Sequence, residues 1–210
     1  MVTIEVGPGK KQFLVHKNLL LSHASDFFTA ALCGQFVEAQ TDLIILPEEA
    51  PAAFELFVDW LYRGRVPDVP VKPGWGNLSF KAMETEGFLE VENTYHDLYY
   101  MAEKWCITAL KNHIMDRIRR FHYLTDTTVH PSLIESGYAN TPEGSPMRKY
   151  LSRAGAFAMK YPSSDYLLGI RSHLEASSQD FLLDILEIFR DGLDVDVIKD
   201  PDCEGKHRSH

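Results

Sequence analysis

Phe13-Leu14-Val15-His16-Lys17, running on into Leu19-Leu20-Leu21 and then Phe27-Phe28, is the stretch that decides how this chain folds. Phe13 and Val15 fall two apart, and upstream Val2, Ile4 and Val6 alternate with polar residues across a Gly7-Pro8-Gly9 break. Period-two patterning on both sides of a Gly/Pro interruption predicts a β-hairpin. After Lys17 the apolar residues close up, and the period changes. Leu19-Leu20-Leu21 and Phe27-Phe28-Thr29-Ala30-Ala31-Leu32 read as two short helices, with Ser25 as N-cap of the second and Gly34 as its stop.

Further out, Leu43-Ile44-Ile45-Leu46 is a short apolar run between Asp42 and Pro47, which predicts a buried strand. Pro51 suits the first turn of a helix. Phe54, Phe57, Val58 and Leu61 share one face of it, Trp60 and Tyr62 flank that face, and Gly64 ends it. Residues 65–94 change character. Pro67, Pro70, Pro73, Gly74 and Gly76 are followed by Glu84, Glu86, Glu90 and Glu92, an insertion or long loop with room for a strand near Phe88 to Val91. Order resumes at Tyr95. Leu98, Met101, Ala102 and Trp105 form one helical stripe and Ile107, Leu110, Ile114, Ile118 and Phe121 another, joined as an αα-hairpin or a sharp bend at Trp105-Cys106. Beyond the breaks at His130-Pro131 and 140–146, helices are predicted over Met147 to Lys160 and Ser178 to Arg190. The second places Phe181, Ile185 and Phe189 on one stripe beside Leu182 and Leu186. Residues 201–210 are polar and expected to fray.

A formal net charge of −9 over 210 residues argues against direct nucleic-acid binding, which needs a basic face. No apolar run approaches the roughly 18 residues that span a bilayer, and Met1 to Gly9 has no signal-peptide core. Three scattered cysteines (Cys33, Cys106 and Cys203) make no disulfide framework. Cys33 and Cys106 lie among apolar neighbours and are expected in the core. A cytoplasmic or nuclear location follows, and Asn77-Leu78-Ser79 is then an idle sequon.

Chemistry is sparse. Gly7-Pro8-Gly9-Lys10-Lys11 is too short for a phosphate loop and lies where a turn is needed. No HExxH or CxxC occurs among the residues, and Cys203, His207 and His210 would have to order a flexible tail to hold a metal. No Gly-x-Ser-x-Gly presents a nucleophile. The expectation is no catalytic residue, no metal and no cofactor. Arg117, Arg119 and Arg120 form the best basic patch. They read either as the solvated side of a helix carrying Ile114, Ile118 and Phe121, or as a contact for an acidic partner.

In combination, several segments resemble the BTB/POZ family. They are Phe13-Leu14-Val15-His16-Lys17, Leu19-Leu20, Ser25-x-Phe27-Phe28, Gly34-Gln35-Phe36-x-Glu38 and Ile44-Ile45-Leu46-Pro47. Phe54-x-x-Phe57-x-x-Trp60-Leu61-Tyr62-x-Gly64 and Leu98-Tyr99-x-x-Ala102 complete the set. Trp60-Leu61-Tyr62 and Glu38-Ala39-Gln40 are similar to fungal members. The resemblance implies an α/β (α+β) fold, a small β-sheet packed on a helical cluster, over residues 1–122 with the insertion at 65–94. A C-terminal helical extension (123–200) and a tail (201–210) follow. It implies a protein-interaction module without catalytic residues, its partners a cullin-type ubiquitin-ligase scaffold or another copy of itself. The alternative is a self-associating transcriptional or regulatory scaffold. Lys17, Trp60, Tyr62, Arg117, Arg119 and Arg120 are the candidate interaction residues. Lys17 stands where members often carry a charged pocket residue. His16 reads as a hydrogen-bonded structural histidine. Many dimerising members carry a helix and strand ahead of the hairpin, exchanged between protomers; this chain begins at the hairpin itself, so the exchanged dimer is not expected of it. Residues 65–94 fall near where ligase adaptors meet cullin, and either close or re-aim that contact. The apolar stripe around Phe181 is expected to pack within the chain rather than face solvent.

Overall fold

β1 (Val2–Val6) and β2 (Lys11–Val15) pair antiparallel, with Val2 opposite Val15 and Ile4 opposite Phe13. Gly7 and Lys10 take φ of 74° and 50° in the connection, and the Lys10 N–H donates to the Gly7 carbonyl at 3.0 Å. β3 (Leu43–Leu46) runs parallel to β1 on its other side, so the sheet order is β2-β1-β3. The pleat buries Val2, Ile4, Val6, Val15, Ile44 and Leu46 and leaves Leu14 and Ile45 exposed. The computed structural model describes residues 1–23, 26–34, 37–68, 70–75, 80–85, 87–160 and 179–192.

Between β2 and β3 come α1 (Lys17–His23), α2 (Asp26–Cys33) and α3 (Val37–Thr41). The Gly34 N–H closes α2 on the Ala30 carbonyl at 3.0 Å, while the Ser25 cap falls outside the described residues. α4 (Pro51–Arg63) starts on its proline and ends at Gly64, which takes φ 68° and donates its N–H to the Trp60 carbonyl. That left-handed cap favours glycine. Ala53, Phe54, Phe57, Trp60 and Leu61 form its buried side.

Residues 65–94 are not a continuous loop, and no strand forms near Phe88. α5 (Phe80–Thr85) lies inside the stretch, and α6 (Phe88–Lys104) begins at Phe88 rather than Tyr95. The reason is a helical spacing hidden by the acidic letters: Phe88, Glu92 and Tyr95 are all buried, at i, i+4 and i+7. α7 (Thr108–Thr125) follows a tight reversal. There the Ile107 N–H reaches the Ala102 carbonyl and the Cys106 N–H the Glu103 carbonyl, at 2.9 and 3.0 Å, with Cys106 at φ 57°. This is a Schellman closure with cysteine in the left-handed position usually given to glycine.

Contacts divide the chain into two units, Met1–Val69 with Thr94–Ile114, and Pro70–Asn93 with Met115–His210. The first is built around Trp105, which meets the rings of Phe27, Phe28, Phe54 and Phe57. Phe13 and Phe27 are half-buried, whereas Val15, Leu20, Phe28, Ile44, Leu46, Phe57 and Leu61 are buried as expected. Each fully buried side chain of this kind contributes about 1.5–3 kcal/mol.

In the second unit Trp75 stands edge-on to Phe88 and Phe121. α8 (Ser132–Asn140), α9 (Pro146–Lys160) and α10 (Gln179–Arg190) complete it. α8 does not stand out in the sequence: Pro131 reads as a break but sits immediately before the helix, where no N–H is needed. α10 buries Phe181, Ile185 and Ile188 and packs on α8 and α9. The expected stripe is therefore corrected by one register, because Leu186 and Phe189 are 62% and 46% exposed. Cys33 and Cys106 are also corrected; both are exposed, one at a helix end and one at the α6–α7 reversal. The final residues, including Cys203, His207 and His210, lie outside the described set.

Candidate functional site

Lys17, Trp60 and Tyr62 belong to the first unit and Arg117, Arg119 and Arg120 to the second. Lys17 opens α1, and its ammonium is 3.1 Å from Asp42 Oδ1, with both side chains partly exposed. Tyr62 stands 45% exposed near the end of α4. Its hydroxyl lies 2.7 Å from His16 Nδ1 and accepts the His16 backbone N–H at 3.2 Å. That double contact ties the end of α4 to the junction of β2 and α1, and it brings Tyr62 to the residue next to Lys17. Trp60 is placed differently. It is only 5% exposed, donates its indole N–H to His113 Nδ1 at 2.8 Å, and stands edge-on to His23. Trp60 thus holds this end of α4 on α7, and Tyr62 is what the element presents outward.

The three arginines lie on α7 with Ile114, Ile118 and Phe121 buried on its other side. All three are half-buried, and Arg117 and Arg120 are each already in polar or electrostatic contact.

Charge concentrates elsewhere in the first unit. The Lys104 ammonium meets Glu49 at 2.9 Å and Glu48 at 3.8 Å, and the Glu49 hydrogen bond is the main reason its pKa rises. Asp97 is held above the ordinary carboxylate range by burial, with the Glu49 charge adding to it.

A buried polar group in the second unit has no counterpart in the sequence reading. His122 Nε2 lies 2.8 Å from Glu92 Oε1, its Nδ1 meets the Tyr150 hydroxyl, and Glu92 Oε1 also accepts the His130 N–H at 3.0 Å. His122 and Glu92 side chains are essentially inaccessible, and the Tyr150 ring stacks on the His122 ring. Composition groups Glu92 with Glu90 as surface acid; the spacing from Phe88 is the signal that separates them. The arrangement pairs both ring nitrogens of His122 and Glu92 Oε1, and joins α6, α7, α9 and the segment before α8, a structural role. Among the described residues no cluster of three or more His, Cys, Asp or Glu could hold a metal, and no helix is long and apolar enough to cross a membrane.

This sheet and helix order leaves Lys17 and Tyr62 partly exposed and uses Trp60 to hold α4 on α7. A family model for the BTB/POZ domain matches residues 2–121. The chain belongs to the BTB/POZ family, whose domains are protein–protein interaction modules. No curated protein sequence gives a significant match to it.

Proposed function

We propose that this chain is an adaptor whose BTB/POZ domain, residues 1–122, contacts a cullin-type ubiquitin-ligase scaffold while another of its surfaces holds a substrate. We take 123–200 as its helical extension, 201–210 as its tail, and its place of work as the cytoplasm or nucleus. We also place it with the fungal members that its wording resembles. The observation that carries this reading is the chain order. A BTB/POZ match ending at residue 121 is followed directly by further helices, α8 to α10, and adaptors of the family lengthen their scaffold contact with helices in that position.

Within the first unit, Tyr62 and Lys17 are the side chains we assign to partner contact, with Trp60 holding α4 in place behind Tyr62. In the second, Arg117, Arg119 and Arg120 are assigned to an acidic partner surface. The insertion at 65–94 then re-aims the scaffold contact rather than closing it, since α5 and the start of α6 give it a defined surface. The test is a pull-down with the purified N-terminal region of a cullin. Retention of the chain is expected, and Tyr62→Ala should reduce it about tenfold, as loss of an aromatic anchor does. Absence of a complex at micromolar concentration removes the adaptor role. The second reading, a self-associating scaffold, is favoured by the exposed apolar residues Leu183 and Leu186 of α10. A monomer that persists across concentration in sedimentation rules it out.

A further inference from the structure

Within the first unit α2, α3, β3 and the end of α6 enclose a groove of about 410 Å³. Its floor is apolar, made by Phe27, Ala30 and Ala31 from α2 and by Ile44 and Leu46 from β3. Phe27 is fixed there, its ring stacked on Trp105 at 5.8 Å and edge-on to Phe28 at 5.0 Å. The rim has the opposite character. Glu38, Glu48 and Glu49 line it against a single cation, Lys104. Lys104 is already held by Glu49 and Glu48, whereas Glu38 has no ion-pair partner among the described residues. Asp97, in the same unit, has its pKa raised first by burial and then by the Glu49 charge.

Pockets of roughly 300–1,000 Å³ with an apolar lining and a few placed polar groups are the usual form of a binding site. Charge decides between the occupants. An anion is repelled by the rim, and a neutral apolar molecule leaves the Glu38 carboxylate to be desolvated without compensation, which costs free energy. A second copy of this chain, at net charge −9, brings a predominantly acidic surface to an acidic rim. An apolar side chain accompanied by a cation satisfies both floor and rim.

We propose that this groove docks a short segment of a partner protein in which an aliphatic or aromatic anchor stands next to a lysine or arginine. The anchor enters between α2 and β3, and the cation meets Glu38. Neither Tyr62 nor Lys17 lines this groove, and peptide binding is read without a cullin, so this proposal and the adaptor reading fail separately.

The test is fluorescence anisotropy of the full chain with labelled heptapeptides on a Gly/Ser frame, centred on Arg-Leu, Arg-Phe, Glu-Leu or Arg-Ser. Arg-Leu and Arg-Phe peptides should bind, with Glu-Leu and Arg-Ser at least tenfold weaker and affinity falling as salt is raised. Glu38→Lys should weaken Arg-Leu tenfold or more and narrow its advantage over Glu-Leu. Ala30→Trp, at an exposed position lining the groove, should abolish binding while circular dichroism stays unchanged. Equal affinity for Arg-Leu and Glu-Leu overturns the proposal, as does Arg-Leu binding that survives both substitutions. Failure of every peptide to bind at millimolar concentration also overturns it.

Discussion

Cys106 sits at φ 57° with its side chain exposed, so it occupies a conformation that costs an L-residue about 1–2 kcal/mol and recovers little of it by burial. Cys106→Gly is therefore expected to stabilise the chain by about 0.5–1 kcal/mol, part of the relief being offset by the entropy of an added glycine. A higher urea midpoint with unchanged slope would show it. Asp97 makes a second, pH-dependent case. Burial first, and Glu49 next, raise its pKa in the folded chain. The folded state therefore holds its proton to higher pH than the unfolded state does. Stability contributed by this group is greatest in acid and declines as pH rises from the unfolded carboxylate value through the raised one. Asp97→Asn should be more stable than the parent at neutral pH, and the gain should shrink as pH is lowered across that window. A constant difference from pH 4 to pH 7 would contradict the assignment.

Gly155 shows how α9 and α10 specify each other. A Cβ built there would stand 2.7 Å from Phe181 Cζ and 3.0 Å from Ile185 Cδ1, closer than van der Waals contact allows. Phe181 is fully buried and has nowhere to retreat. Gly155→Ala gains about 1 kcal/mol of helix propensity, but overpacking costs about 1–3 kcal/mol, so net destabilisation is expected. Adding Phe181→Leu should recover part of the loss, read from thermal melts of the single and double variants. Elements with a clear alternation, a bounded apolar run or a helical stripe were legible in the letters: the hairpin, β3, α4, most of α6 and α7, α9, and α10. α3 was not, since five residues display no period. α8 was hidden behind Pro131, and the first turns of α6 behind glutamates, one of which is buried against His122. The stripe of α10 was legible as apolar but not by face, because apolar residues occupy both sides of that helix. Cys106 falls between buried Trp105 and Ile107, and Cys33 follows buried Leu32, yet both are exposed, which sequence adjacency cannot reveal.

At the scale of the whole molecule, the large apolar residues shared with the family, among them Val15, Leu20, Phe28, Phe57, Leu61 and Leu98, are interior, and this is why they identify the fold yet name no partner. Trp60 illustrates the difficulty for site prediction: a prominent aromatic in the signature spends its indole N–H on His113 and its ring on Phe57. Tyr62, two residues on, keeps its ring exposed. The groove of Glu38 and Lys104 was equally invisible, because its walls come from segments far apart in sequence and its charges look like ordinary surface residues. An interaction module should therefore change its state of association when offered the right scaffold, without a ligand or cofactor. The most direct measurement is the molar mass in solution by light scattering, across a range of concentrations, alone and mixed with the N-terminal region of a cullin. A new species with the summed mass of chain and scaffold is predicted. Two components that keep their separate masses at concentrations of tens of micromolar would contradict it.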